Sequence, residues 1–445
     1  MPRSPRQGYR RDGDRRMKNP GKILPEPGQI LGGKTPRLDP DELNSFVKGF
    51  LERRETFLSA LHQHGSPLYY IEKQFLLDRA KQFIDAFRSE LPDIRVYYAV
   101  KSNNHPAIAR TFTEAGLGLD VSSGRELRLA LDCGAEEIAF SGPGKTIDEL
   151  ELAVENQDRV TVLIDSFGEL ERLNAVAAKT NAFVRAGVRL TTNERGLWAK
   201  FGIPLSRLSE FWARAAKSRQ VQLRGIQFHT SWNLDPGQHV TFINRLAETL
   251  RKLDRTILAE IDFIDIGGGF WPEEGEWLHR ADGAPVNLDS ENQGDIYHFR
   301  KPAVVINDFA EQIGRALRRE ILPIVDCRIH AEPGRWLCHD GMHLLMKVVD
   351  KKMPTMVITD AGTNAIGWER FETDYFPVIN LTRPGLDEHR CLVLGSLCTP
   401  HDVWGYSFHG KEIEPGDVLL IPCQGAYTYS LRQEFIKPLP KDVVL

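Results

Sequence analysis

What the chain lacks narrows its chemistry early. Its six cysteines, Cys133, Cys327, Cys338, Cys391, Cys398 and Cys423, form no CxxC pair. Neither a zinc ribbon nor a disulfide framework is therefore suggested, and reduced thiols in the cytoplasm are the expectation. No apolar run is long enough to cross a membrane, and the first residues lack the apolar segment of a signal peptide. Positive charge is not in excess: a formal net charge of −4 and a pI near 6.4 argue against a general nucleic-acid binder. No GxGxxG is present, which disfavours a dinucleotide fold.

What remains is an ordinary globular balance, 41% hydrophobic and 27% charged, over 445 residues, too many for one compact core. Two domains are expected. The first eighteen residues are locally basic (Arg3, Arg6, Arg10, Arg11, Arg15, Arg16 and Lys18 against Asp12 and Asp14). Residues 1–40 read as a disordered extension, a small site for an anionic partner being the alternative. Residues 41–72 read as a leading helix and strand.

From about 96 to 334, apolar runs alternate with helical patterns. Strands are predicted at Val96–Val100, Leu117–Val121, Glu137–Gly142, Val160–Asp165, Phe183–Leu190, Leu223–His229, Phe263–Gly269 and Arg328–Gly334. Amphipathic stretches lie between them; over 240–253, Val240, Ile243, Leu246, Ala247 and Leu250 share one face. Strand and helix in alternation imply parallel pairing, and eight repeats suggest a closed (β/α)₈ barrel over 73–335. An open doubly wound sheet is the structural alternative, since periodicity cannot show closure. After Arg335 the texture changes to Leu344–Val349, Thr355–Thr359, Cys391–Gly395 and Asp417–Pro422, separated by turn residues. Residues 336–445 therefore read as an all-β, barrel-like domain, to which the strand-like Pro67–Glu72 is expected to add. The Trp-, Gly- and acid-rich loop 271–302 is long enough to expect function or mobility.

A barrel collects its catalytic groups at the C-terminal ends of its strands. Here those ends carry Lys101, Asp120 with Ser122 and Ser123, Ser141, Asp165, Arg189, His229, Gly267–Gly269 and Glu332. Singly, each has a bland reading: a solvent-facing lysine, a tight turn at the glycines, a Glu332–Arg335 structural pair. Together they point to a site. A lysine able to shed its proton beside a glycine-rich anion site can form a Schiff base. Gly267, Gly268 and Gly269 allow backbone N–H groups to converge on a phosphate. Glu332, in Glu332-Pro333-Gly334-Arg335, can hold the charge of a protonated pyridine. Ser141-Gly142-Pro143-Gly144-Lys145-Thr146 looks like the end of a P-loop, but the first glycine of that motif would fall on Ala139. Cys338, His339 and His343 have a spacing a metal could use on a helix, yet they fall in a predicted strand region, so no metal is expected.

Tyr98-Ala99-Val100-Lys101-Ser102-Asn103, Phe228-His229, Asp265-Ile266-Gly267-Gly268-Gly269-Phe270, Glu332-Pro333-Gly334-Arg335, Cys398 with Asp402, and Gly425-Ala426-Tyr427 together resemble the ordered signatures of the fold-type III decarboxylases, the ornithine, diaminopimelate and arginine group. The likeness runs from about residue 66 to 436. It implies a pyridoxal 5′-phosphate enzyme that decarboxylates an amino acid. On that resemblance Lys101 carries the cofactor, His229 stacks on its ring and Glu332 pairs with the ring nitrogen. Gly267, Gly268, Gly269, Gly334, Arg335 and Tyr427 hold the phosphate. Asp120 and Glu126 support the lysine, and Arg189 lies behind the ring. Cys398 enters the neighbouring subunit's site as proton donor, which implies a head-to-tail homodimer with shared sites.

Departures bear on the substrate. The ornithine and diaminopimelate enzymes place an acidic residue after the catalytic cysteine to bind a distal ammonium; here Thr399 follows, with Asp402 three further on, and both are expected to contact the substrate. Asp374 stands where a second distal-amine carboxylate is expected, and Trp232 where a small serine is usual. These changes resemble branches acting on modified, conjugated or carrier-bound amino acids. Competing readings are a racemase or eliminase on the same cofactor, and a non-catalytic regulatory paralogue, which tends to lose the lysine or cysteine retained here.

Overall fold

Strands buried on both faces must be apolar along their length and covered by helices, and the middle of the chain is built on that rule. In the computed structural model, which describes residues 36–278, 296–367 and 375–445, Leu68–Ile71 forms β1. Then come β2 (Arg95–Ala99), β3 (Gly118–Val121), β4 (Ile138–Phe140), β5 (Val160–Ile164), β6 (Val184–Leu190), β7 (Val221–Phe228) and β8 (Phe263–Asp265). A two-stranded ribbon of β9 (Glu276–Leu278) and β10 (Phe299–Lys301) precedes β11 (Arg328–Ala331). Strands β2 to β8 pair in parallel in sequence order, and β11 joins β8 to β2, so the barrel is closed. The open-sheet alternative is thereby excluded.

The barrel interior is filled, not hollow. Tyr97, Ala139, Leu163 and Phe263 form a layer inside it, with His330 stacked on Phe263 at 4.7 Å. Glycine is needed opposite that phenyl ring: a Cβ on Gly225 would lie 2.3 Å from Phe263, and one on Gly187 2.9 Å from it. Outside, the helix predicted at 240–253 is observed at Gly237–Leu250; its buried face includes His239 and Phe242, while Val240 is only partly covered.

The second sheet comprises β12 (Met342–Met353), β13 (Met356–Thr359), β14 (Ile379–Asn380), β15 (Glu388–Leu394), β16 (Val403–His409), β17 (Val418–Ile421) and β18 (Lys441–Val444), together with β1. Its order is β13-β15-β16-β14-β17-β12-β1-β18. Two helices, Pro40–Glu52 and Arg54–His64, pack on this sheet through Val47, Phe50, Phe57 and Leu61. The metal-spacing residues do not share a strand, as the sequence suggested: Cys338 ends a short helix (Arg335–Cys338), His339 begins a 3-10 turn, and only His343 lies on β12. Among the described residues no helix is long and apolar enough to cross a membrane.

Candidate active site

At the C-terminal end of β2 the chain tightens into a 3-10 turn, Val100–Ser102, which lifts Lys101 to the barrel mouth. Its Nζ donates to Asp120 Oδ2 at 3.0 Å, from a side chain about a third exposed against a carboxylate fully buried. Asp120, at the end of β3, also accepts from the Ser141 hydroxyl. Burial disfavours the lysine's charge, but Asp120 and then Glu332 outweigh it and hold the ammonium above its ordinary range. The expectation of a lysine ready to shed its proton is thus corrected: by itself, Lys101 stays charged because two carboxylates face it. Glu126 lies behind this pair and accepts the Ser122 N–H at 2.7 Å.

Glu332 ends β11 in a fully buried position. Gln227 Nε2 donates to it at 3.2 Å. Asp265, on β8, is pushed well above the usual carboxylate range by burial and by Glu332, so it is the protonated member of that carboxyl pair. Gln227 and Asp265 thus flank the Glu332 carboxylate at the barrel mouth. Gln227 was missed from sequence; its signal is position, two residues before His229 on the same face of β7.

His229 caps β7 and is held neutral: burial first, then Lys101 and Arg189, depress it well below the ordinary histidine value. Arg189, at the end of β6, donates to Ser141 O at 3.0 Å and lies 4.7 Å from the Phe201 ring centre.

The glycine turn works differently from expectation. Gly267 N–H is spent on Asp265 Oδ1 at 2.8 Å and Gly268 N–H on His229 Nδ1 at 3.1 Å. Two of the three amides are committed inside the protein, so the glycines serve chiefly by having no Cβ. A methyl group on Gly268 would meet Glu332 O at 2.2 Å, and one on Gly269 would meet Thr230 O at 2.2 Å. At Gly334 the space is also tight: a Cβ there would lie 2.9 Å from Ser102 Oγ. Arg335 lies between the rings of Trp271 (4.1 Å) and Tyr427 (5.0 Å). Two separated motifs are bolted together here: Tyr427 N–H donates to Ser102 O at 2.7 Å and Asn103 Nδ2 to Gly425 O at 2.9 Å.

Cys398, Thr399 and Asp402 do not join this set within one chain; their loop contacts the second sheet. Cys398 is exposed. Asp402, expected as a substrate contact, is buried, and its two oxygens accept the N–H of Thr363 (2.7 Å) and Leu397 (2.6 Å). Its carboxylate is consumed in shaping the loop. Asp374 lies outside the described residues, and Trp232, after β7, is 73% exposed with φ at +61°.

Residues 77–339 match the pyridoxal binding domain of pyridoxal-dependent decarboxylases, and 335–425 match the C-terminal sheet domain of the same enzymes. The chain belongs to this family. Diaminopimelate decarboxylase of Methanothermobacter thermautotrophicus is 27% identical over 402 residues, covering 86% of this chain and 87% of that protein. The L-glutamyl-[BtrI acyl-carrier protein] decarboxylase of Niallia circulans is 26% identical, covering 82% and 85%. In fold, the chain is similar to the diaminopimelate decarboxylase of M. jannaschii crystallised with L-lysine, at a TM-score of 0.74, 24% identity, and coverage of 87% and 88%. This pyridoxal-dependent amino-acid decarboxylase has the fittings its cofactor requires. They are a lysine amine at the barrel mouth, a buried carboxylate, Glu332, to pair with a pyridine nitrogen, and close-packed glycines at Gly268, Gly269 and Gly334, where a Cβ would crowd Glu332 O, Thr230 O and Ser102 Oγ.

Proposed function

We propose that the enzyme removes the α-carboxylate of a diaminopimelate- or ornithine-like amino acid whose far end is acylated, conjugated or carrier-bound, within a biosynthetic pathway. One observation carries the substrate reading: exposed Cys398 is followed by Thr399, which cannot ion-pair with a free distal ammonium. The similar Niallia circulans protein is named for a carrier-linked glutamyl group, which supports the carrier-bound form.

In this reading Lys101 holds the cofactor, supported by Asp120 and Glu126. His229 would pack against the bound cofactor's ring with Arg189 behind it, and Glu332 would pair with the ring nitrogen. Gly267–Gly269, Gly334, Arg335 and Tyr427 enclose the phosphate, Gly267 and Gly268 by shape and not by their amides. When bound, the cofactor supplies an electron sink for the pair left at Cα as carbon dioxide departs. Cys398 Sγ then delivers a proton to Cα. Thr399 borders the substrate's far end, and Asp402 acts through the loop it holds. Exposure of Cys398 on a single chain supports a head-to-tail homodimer in which that thiol enters the partner's site. Free thiols at all six cysteines support a cytoplasmic setting.

A carbon dioxide release screen over free, N-acylated and carrier-linked diamino acids tests the proposal. Turnover is expected to favour the modified forms. Best turnover on free diaminopimelate or ornithine would overturn it.

A further inference from the structure

The three segments proposed to enclose the phosphate all run on into a second cluster. Four residues past Trp271-adjacent Phe270 stands Glu274; four and five past Arg335 stand His339 and Asp340; four before Tyr427 stands Cys423. Among the described residues, one set of three side chains brings metal-binding atoms together: those of His339, Asp340 and Cys423 lie within 4.8 Å of one another, all buried. We propose that these three residues bind a divalent metal of zinc type, with Glu274 or a water completing four ligands.

Chemistry selects the metal. An imidazole, a thiol and a carboxylate suit a borderline-soft tetrahedral ion, while magnesium and calcium require oxygen alone. Shape permits it. Glu274, His339 and Cys423 line a cavity of about 40 Å³, more than the roughly 10–15 Å³ that one water requires. A second, more open cavity is lined by Arg79, Glu274, Asp340 and Cys423. Asp340 Oδ1 and Glu274 Oε2 are buried and accept no hydrogen bond. Cys423 adopts φ +55°, a left-handed conformation that costs a residue bearing a Cβ, and its N–H is pinned by His343 Nδ1 at 3.1 Å.

Arg79 is the competing cation. Its guanidinium donates to Asp340 Oδ2 and lies 4.0 Å from Glu274. Charge counting leaves room for both: with a metal bound, the carboxylates of Asp340 and Glu274 and the Cys423 thiolate would make three negative charges, of which Arg79 cancels one. Two remain for M²⁺. The neighbouring Glu72 is already committed to Arg53 and His343. The ion would tie the ends of the three phosphate-enclosing segments to one point, a structural and not a catalytic role.

Cobalt titration of the chelator-treated holoenzyme, followed by difference spectra, tests this independently of any activity. One cobalt per chain is expected, with a thiolate charge-transfer band that zinc displaces. Cys423→Ala should abolish the band, and Cys338→Ala should leave it intact. Asp340→Asn keeps the side chain's shape and should weaken binding at least tenfold, the lower bound seen even for groups that only orient ligands. It serves as the ligand test if Cys423→Ala fails to fold. No band at millimolar cobalt in folded wild-type protein, or an undiminished band in Cys423→Ala or Asp340→Asn, would overturn the proposal.

Discussion

Gly268 N–H donates to His229 Nδ1 at 3.1 Å, which fixes the imidazole as an acceptor on that side and puts its single proton on Nε2. Burial and Lys101 reinforce this by depressing the ring well below its ordinary value. The 3.7 Å approach of the same nitrogen to Glu332 is therefore a contact and not an ion pair. Lowering the pH through 6.5 should leave His229 neutral, so its titration should not appear in kcat/KM. An inflection near pH 6.5 that vanishes in His229→Asn would count against this assignment.

Glu332→Gln removes the buried carboxylate that Gln227 and Asp265 flank. An opposite charge at this range is worth about 1–3 pKa units to a bound cation, so kcat should fall roughly ten- to thousandfold. Carbon dioxide release under saturating substrate measures it.

Thr399→Glu should install the ion-pair partner that the loop lacks. Turnover of free diaminopimelate should rise, by about tenfold if the pair is worth 1.4 kcal/mol, while the N-acylated form gains nothing. Equal gains on both would mean that residue 399 does not face the distal group.

Asp402→Ala strips acceptors from two buried amides, at a cost on the order of 3 kcal/mol in urea unfolding. Because the loop carries Cys398, kcat should fall more than KM changes. The alkylation rate of Cys398 should change with it; an unaltered rate and kcat would show the loop to be held by other means.

His239 lies under the glycine turn with Nε2 against Gly268 O and Thr230 Oγ1, and burial lowers it to about 3. The folded state thus binds fewer protons than the unfolded state between pH 6.5 and 3. Its stabilising contribution is complete above 6.5 and is lost as pH falls toward 3, about 5 kcal/mol in all. In His239→Gln the pH slope of the urea midpoint over that range should flatten by one proton.

The barrel was legible because buried parallel strands leave continuous apolar runs; all eight predicted strands form, mostly ending a few residues earlier than their apolar runs. Those overruns are themselves informative, since residues such as Gly267–Gly269 and Pro333–Gly334 belong to the site and not to the strands. The second sheet was legible only in part. β14 has two residues, and β16, Val403–His409, breaks its apolar run with Gly405, Tyr406 and Ser407. In the site, ionisable residues at strand ends announced themselves, whereas Gln227 and Asp265 act through protons that sequence does not display. The glycines were expected to offer free amides, whereas the Gly267 and Gly268 N–H groups are hydrogen-bonded within the protein. Asp402 was misread because a carboxylate near a cysteine looks like a ligand group until its backbone partners are known.

Strand β1 sits between β12 and β18. The Leu68–Ile71 segment therefore has no hydrogen-bonding neighbour until Met342–Leu345 arrives, after the whole barrel has been synthesised. During translation an apolar Leu-Tyr-Tyr-Ile stretch with two bare edges must wait through more than half the polypeptide, a hazard for sticking to other nascent chains. Maturation of this enzyme is accordingly ordered: the barrel can close first, and the first strand is buried only when later sequence returns to it.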